Sequence, residues 1–192
     1  KNIVKIVNGK DNLTKDGTVP VYGSSATPFG FTNKIMYDKD TVLLGRKGTI
    51  DKPQFIAEPF WAVDTAFYTI PKKNADLKFF YYCMTVLDYK KYTYGSAIPS
   101  MSQGILNEIS LPYPILKEQQ KIAAFLDKKT AQIDSILADT KQSIVEFKKY
   151  KQALITETVT MSLNTDVKTK DSGIEWIGEI PEHWKLSRLK KI

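Results

Sequence analysis

The side chains best suited to covalent chemistry are scarce here. The chain has one cysteine, Cys83, and one histidine, His183. Cys83 lies in the apolar run "FFYYCMTVL", and a hundred positions separate it from the only imidazole. A thiol nucleophile needs a nearby base, so Cys83 reads as a buried structural thiol. A zinc site would have to be built almost wholly from carboxylates, and no metal site is expected. A Ser-His-Asp triad would have to recruit His183 from "PEHW". In "LLGRKGT" (43–49) the lysine precedes the second glycine, so the spacing of a phosphate loop is absent. "YGSSATPFG" has spaced glycines but no dinucleotide fingerprint built around them. "LPYP" (111–114) lacks the asparagine of an adenine methyltransferase motif. These patterns favour binding over catalysis, with no catalytic residue and no cofactor in this chain.

Three loops carry side chains suited to nucleic acid. "VYGSSATPFGF" places Ser24, Ser25 and Thr27 between glycines and a proline. "LLGRKGTIDKP" ends an apolar run in a Gly-bracketed turn that presents Arg46 and Lys47. Arginine can grip a guanine edge with two hydrogen bonds, and lysine can hold a phosphate. "KKYTYGSAIPSMSQG" (90–104) gathers Lys90, Lys91, Tyr92, Tyr94, Ser96, Ser100, Ser102 and Gln103. Glutamine can pair with adenine through two bonds, and serine can reach a base or a phosphate. Taken singly, each loop reads more readily as an ordinary turn with solvated charges. Three of them on one basic domain shift the balance towards DNA, with Arg46 the leading base reader and Lys47, Lys90 and Lys91 the phosphate contacts.

The elements that must position these loops fall into three segments. The 192 residues carry a formal net charge of +7, and most of the excess lies on residues 1–116. Hydrophobic residues make up 42%, enough for a folded core. Residues 1–116 contain short candidate strands, "NIVKIV", "VPVYG", "TVLLG" and "WAVDTAFYTI", separated by turn signals. The last of these alternates, with Ala62, Asp64 and Ala66 opposing Val63, Thr65 and Phe67. "ADLKFFYYCMTVLDYKKY" suits a helix of about four turns. The segment is expected to be an α+β domain.

Residues 117–161 contain neither glycine nor proline, and Pro112 and Pro114 mark the start of a helix just ahead. At ~1.5 Å per residue this makes a rod of roughly 67 Å. Ala123, Thr130, Leu137, Ile144 and Lys151 fall on one heptad line, and Leu126, Ile133, Thr140, Phe147 and Leu154 on the other. Ile122, Ile136 and Ile155 widen the stripe. An apolar seam of this kind calls for a companion helix, with Ile122, Leu126, Ile133, Leu137, Ile144, Phe147 and Leu154 as its contacts. Residues 162–192 begin as a polar linker and continue into "DSGIEWIGEIPEHW". This stretch holds two of the three tryptophans and looks like the opening of a domain. No run approaches the ~18 apolar residues of a membrane helix. A single cysteine fits a reducing cytoplasm.

Taken together, "VPVYGSSATPFGF", "TVLLGRKGTI", "GSAIPSMSQGILNEISLPYPILKEQQKIAAFLD" and "DSGIEWIGEIPEHWK" resemble the specificity (S) subunit of type I restriction–modification systems. The resemblance implies a target-recognition domain followed by a long spacer helix that packs antiparallel with a second one. It implies readout of half of a split DNA site. It also implies partners: methyltransferase (M) subunits that methylate adenine N6 with S-adenosylmethionine, and a restriction (R) subunit that cleaves DNA. S-adenosylmethionine, ATP and Mg are then expected only on those partners.

The chain departs from that pattern by having one recognition domain and one helix. By analogy, two copies pair through antiparallel helices into a homodimer that reads a palindromic split site. The "SGIEWIGEIPEHW" opening stands at the end of the chain, an order that looks circularly permuted; a piece of a two-domain subunit is the plainer alternative. The tail, 171–192, is expected to complete a recognition domain, preferably the partner's, with Trp176 and Trp184 as buried anchors. A rival from another class is a coiled-coil adaptor without DNA readout.

Overall fold

The structure is a computed structural model that describes residues 3–11, 17–25, 27–95, 97–164 and 166–189. It divides into two compact units, Lys1–Lys128 and Lys129–Ile192. The first is α+β, as expected from its sequence.

Among the described residues, seven strands build the first unit: β1 (Val4–Asn8), β2 (Val19–Tyr22), β3 (Gly30–Thr32), β4 (Thr41–Gly45), β5 (Gln54–Ile56), β6 (Trp61–Ala62) and β7 (Ala66–Pro71). An antiparallel sheet runs in the order β1-β7-β4-β5, and a smaller sheet in the order β3-β2-β6. Side chains alternate between the faces of a strand, so β4 feeds two cores at once. Val42 and Leu44 join Val4, Ile6 and Phe67 in one core. Leu43 joins Tyr22, Ile56, Phe60 and Ala62 in the other. All five residues of β4 are buried, which explains its unbroken apolar reading. Thr41 and Thr69 are fully buried and bonded: the Thr41 hydroxyl donates to Thr69 O at 2.7 Å, and the Thr69 hydroxyl accepts from Val42 N at 3.1 Å.

"WAVDTAFYTI" is not one strand. It splits into β6 and β7, which belong to different sheets. A turn at Asp64–Thr65 separates them, closed by Ala66 N donating to Val63 O at 3.1 Å. The split lets Ala62 enter one core while Phe67 enters the other. Gly9 makes room for the turn: a Cβ on it would lie 2.0 Å from the Val63 oxygen.

The helix expected over 75–92 is also shorter. α1 covers Leu77–Thr85, its first turn capped by the Asp76 carboxylate, which accepts from Phe79 N at 2.8 Å. A separate 3-10 turn follows at Tyr89–Tyr92. Met84 and Tyr89 are buried in the same core. Five residues of continuous α-helix would point them about 140° apart, so the chain breaks at Val86–Asp88. Cys83 is half-buried on α1, and burial pushes its thiol above the ordinary range, away from a reactive thiolate.

α2 covers Gln103–Glu108, and α3 runs without interruption over Leu116–Met161. The start of α3 packs in the first unit through Gln119 and Ala123, with Ile122 and Leu126 half-buried. Tyr82 and Lys78 of α1 reach Asp127 at 2.7 and 3.4 Å. Further along, Ile133, Leu137, Ile144, Phe147 and Leu154 are exposed, with Phe147 at 73%. In the second unit the tail forms a hairpin of β8 (Thr169–Asp171) and β9 (Glu179–Pro181), with Lys170 opposite Ile180. Ile180 is buried and Trp184 half-buried, but Trp176 is 74% exposed. The turn Ile174–Gly178 lifts it from the hairpin, with Gly178 N bonded to Ile174 O at 3.0 Å.

Among the described residues no helix is long and apolar enough to cross a membrane. No group of three or more His, Cys, Asp or Glu among them could hold a metal.

Candidate nucleic-acid interface

The three loops singled out in the sequence meet at the C-terminal end of β4. Arg46 N and Lys47 N both donate to Thr65 O, at 2.8 and 3.3 Å. This ties the Gly-bracketed turn to the Asp64–Thr65 turn. Met101 N donates to Arg46 O, and Gly48 N to Pro99 O, each at 2.9 Å. Lys47 and Tyr94 each form a β-bridge with Ser100. The loop from Tyr94 to Ser100 is thereby stapled along the cationic turn. Gly48, with φ of +82°, supplies the left-handed backbone the turn requires. A Cβ on Gly48 would lie 3.5 Å from Ser24 Oγ, so the 23–29 loop borders the same turn. The Gln54 side-chain amide fixes that loop by donating to Ser25 O.

Arg46 is half-buried, and its Nη1 donates to Asp64 O at 3.2 Å. A guanidinium has five donors, so this bond orients the fork without exhausting it. Lys47 is exposed, with its Nζ 3.9 Å from the Asp64 carboxylate. A pair this open to water holds the ammonium only weakly. Ser25 is exposed and donates to Thr27 O at 3.2 Å; Thr27 is exposed and Ser24 half-buried. Tyr94 is 53% exposed, and the Ser100 hydroxyl donates to Ile98 O at 3.2 Å.

Three other candidates, Gln103, Ser102 and Tyr92, bond or pack within the fold. Gln103 donates through Nε2 to Ile6 O at 2.7 Å, so the amide expected to read adenine is committed to β1. Ser102 caps α2, its hydroxyl accepting from Ile105 N at 3.2 Å. Tyr92 packs against the core. Lys90 and Lys91 are exposed on the 3-10 turn, with Lys91 3.4 Å from Asp88. Ser96 lies outside the described residues. The sequence reading missed Asp64 and Thr65, which organise the cationic turn, because they sit inside a run that reads as strand. It also passed over Phe29 and Ile98, 64% and 61% exposed on the two loops that border that turn. Their signal was an apolar residue inside a Gly-, Pro- and Ser-rich loop.

Comparison with known proteins gives this geometry a family. The chain is 30% identical over 103 residues to the type I restriction enzyme MjaVIII specificity subunit of Methanocaldococcus jannaschii, covering 54% of this chain and 23% of that protein. It is 26% identical over 211 residues to the EcoDI specificity subunit of Escherichia coli, covering 99% of this chain and 47% of the relative. It thus spans less than half the length of these two relatives. The fold is similar to the crystal structure of a type I restriction–modification S subunit from M. genitalium. That match has a TM-score of 0.60 and 17% identity, and covers 82% of this chain and 43% of the other. The model of the type I restriction modification DNA specificity domain matches residues 3–146, and the chain belongs to that family.

Proposed function

We propose that this chain reads DNA sequence for a type I restriction–modification assembly and performs no bond chemistry itself. The observation that carries this reading is the convergence of the 23–29, 46–49 and 94–101 loops around Arg46 and Lys47. Each loop alone is an unremarkable turn. Held together at one end of the sheet, they offer a cationic, hydrogen-bonding surface of the kind that enters a DNA groove. Phosphate contacts fall to Lys47, Lys90 and Lys91, and base readout to Arg46 with Ser24, Ser25, Thr27, Tyr94 and Ser100.

In this reading one head reads half of a split site. Two copies pair antiparallel along the exposed stripe of α3, and the helix length sets the unread spacer. The segment 171–192 completes the recognition domain of the second copy. Methyltransferase and restriction subunits bind the assembly and carry S-adenosylmethionine, ATP and Mg. Duplex DNA binding measured across a salt series tests the proposal. Counterion release makes a phosphate-binding reader lose affinity steeply as salt rises. A coiled-coil adaptor shows no such binding, and that result would remove the reading.

A further inference from the structure

We infer that Phe29 and Ile98 act as two apolar prongs that read thymine C5 methyl groups beside the Arg46 turn. The inference rests on the DNA-reading function proposed above. Phe29 is 64% exposed and Ile98 61% exposed, although both belong to loops held firmly by backbone bonds. Phe29 N donates to Val21 O at 3.1 Å. A Cβ on Gly23 would lie 3.4 Å from the Phe29 ring and 2.9 Å from Thr65 Oγ1. Phe29 therefore stands beside the residue whose carbonyl holds Arg46 and Lys47. On the other loop, Pro99 O accepts from Gly48 N at 2.9 Å, which places Ile98 next to the same turn. Gly95, with φ of +92°, passes so close to Ile98 O that a Cβ there would lie 2.6 Å away. The two apolar side chains are thus pre-positioned around a cationic turn rather than scattered.

That setting selects the ligand group. A surface facing phosphates and base edges gains little from apolar side chains unless an apolar target is present. In the major groove the thymine methyl is that target, and phenylalanine is among the side chains that contact it. Arg46 would read guanine in the same groove, so the prongs extend readout to flanking A·T pairs.

The test uses the full chain assembled with its methyltransferase partner. A binding motif is first selected from random duplex DNA, and each thymine is then replaced in turn by deoxyuridine, which lacks only the methyl. Loss of one methyl contact should weaken binding about fourfold, the value of burying a single methyl-sized group. Phe29→Ala or Ile98→Ala should abolish the penalty at its own position. Both variants should bind the deoxyuridine duplex as wild type does, which shows that the head is still folded and Arg46 still reads. Unchanged affinity for every deoxyuridine duplex would overturn the inference while leaving the DNA-reading function standing. So would a selected motif without thymine, or variants that keep the full penalty and lose only methyltransferase binding. Failure to select any motif would remove both proposals together.

Discussion

The buried side chain of Gln119, near the start of α3, accepts a hydrogen bond from the backbone of Asp76, the N-cap of α1, at 2.9 Å. Its Nε2 donates to Pro114 O at 2.7 Å and Asn74 O at 3.2 Å. One fully buried amide thus closes three backbone groups, and Asn74 is itself held at a positive φ of 69°. Replacing Gln119 by leucine would bury an apolar side chain in its place and strip Asp76 N and Pro114 O of this partner, while Asn74 O keeps its bond from the Tyr113 hydroxyl at 2.7 Å. We expect Gln119→Leu to destabilise the protein by about 3 kcal/mol, read from its urea unfolding midpoint.

Arg46 and Lys47 are adjacent but should behave differently. Arg46→Ala should relax base preference at one position of the site, at about 1–3 kcal/mol of discrimination. Lys47→Ala should weaken all sequences alike and flatten the salt dependence by about one ion. Asp64→Asn, which removes the carboxylate 3.9 Å from Lys47, should strengthen DNA binding. Titrations at several salt concentrations distinguish the three.

Leu137 and Ile144 lie on the exposed stripe of α3, at 51% and 49% exposure. If that stripe pairs with a second copy, Leu137→Asp places a charge in an apolar seam and should leave the protein monomeric. Sedimentation should show the change. Because Leu137 is exposed in the single chain, the unfolding midpoint of a monomer should not move.

Trp176 is the most exposed tryptophan of the tail. If the tail completes a second copy's recognition domain, deleting residues 171–192 should lower the melting temperature and impair dimer formation together. A truncated protein that stays dimeric, melts unchanged and binds DNA as before would refute that role.

The Tyr22 hydroxyl donates to Glu58 Oε1 at 2.8 Å. Burial, then the bond to Glu58 and its charge, push the phenol from 10.0 up to about 12. The folded state therefore holds this proton more tightly than the unfolded chain. The stabilisation is complete below pH 10 and disappears as pH rises from 10 to about 12. Tyr22→Phe should remove that part of the alkaline loss, seen in unfolding midpoints across the range. Burial also raises Tyr37 and Tyr68, so some slope should remain.

The legible parts of the molecule were those set by local chemistry. Pro114 and the absence of glycine and proline from 117 to 161 place α3, which runs over Leu116–Met161. Glycines 45 and 48 mark the cationic turn, and the apolar run of β4 marks a buried strand. Illegible parts were those in which two local readings compete. "WAVDTAFYTI" alternates well enough for one strand, yet its middle folds into a turn because two sheets each claim one end. Gln103 has the side chain of a base reader, and only the placement of β1 beside it shows that Ile6 O takes its amide.

By itself, then, the amino-acid sequence determined the α+β character of the first segment, the uninterrupted helix with its apolar stripe, and the basic, serine- and glycine-rich character of three loops. These follow from propensity, periodicity and composition, which act over a few residues. Tertiary structure alone decided that Arg46, Ser24 and Ser100 share one end of a sheet, that Asp64 and Thr65 hold the turn there, and that the Gln103 amide bonds Ile6 O while the Ser102 hydroxyl caps α2. Those outcomes depend on hydrogen bonds between residues up to 97 positions apart, and no local pattern encodes such pairings.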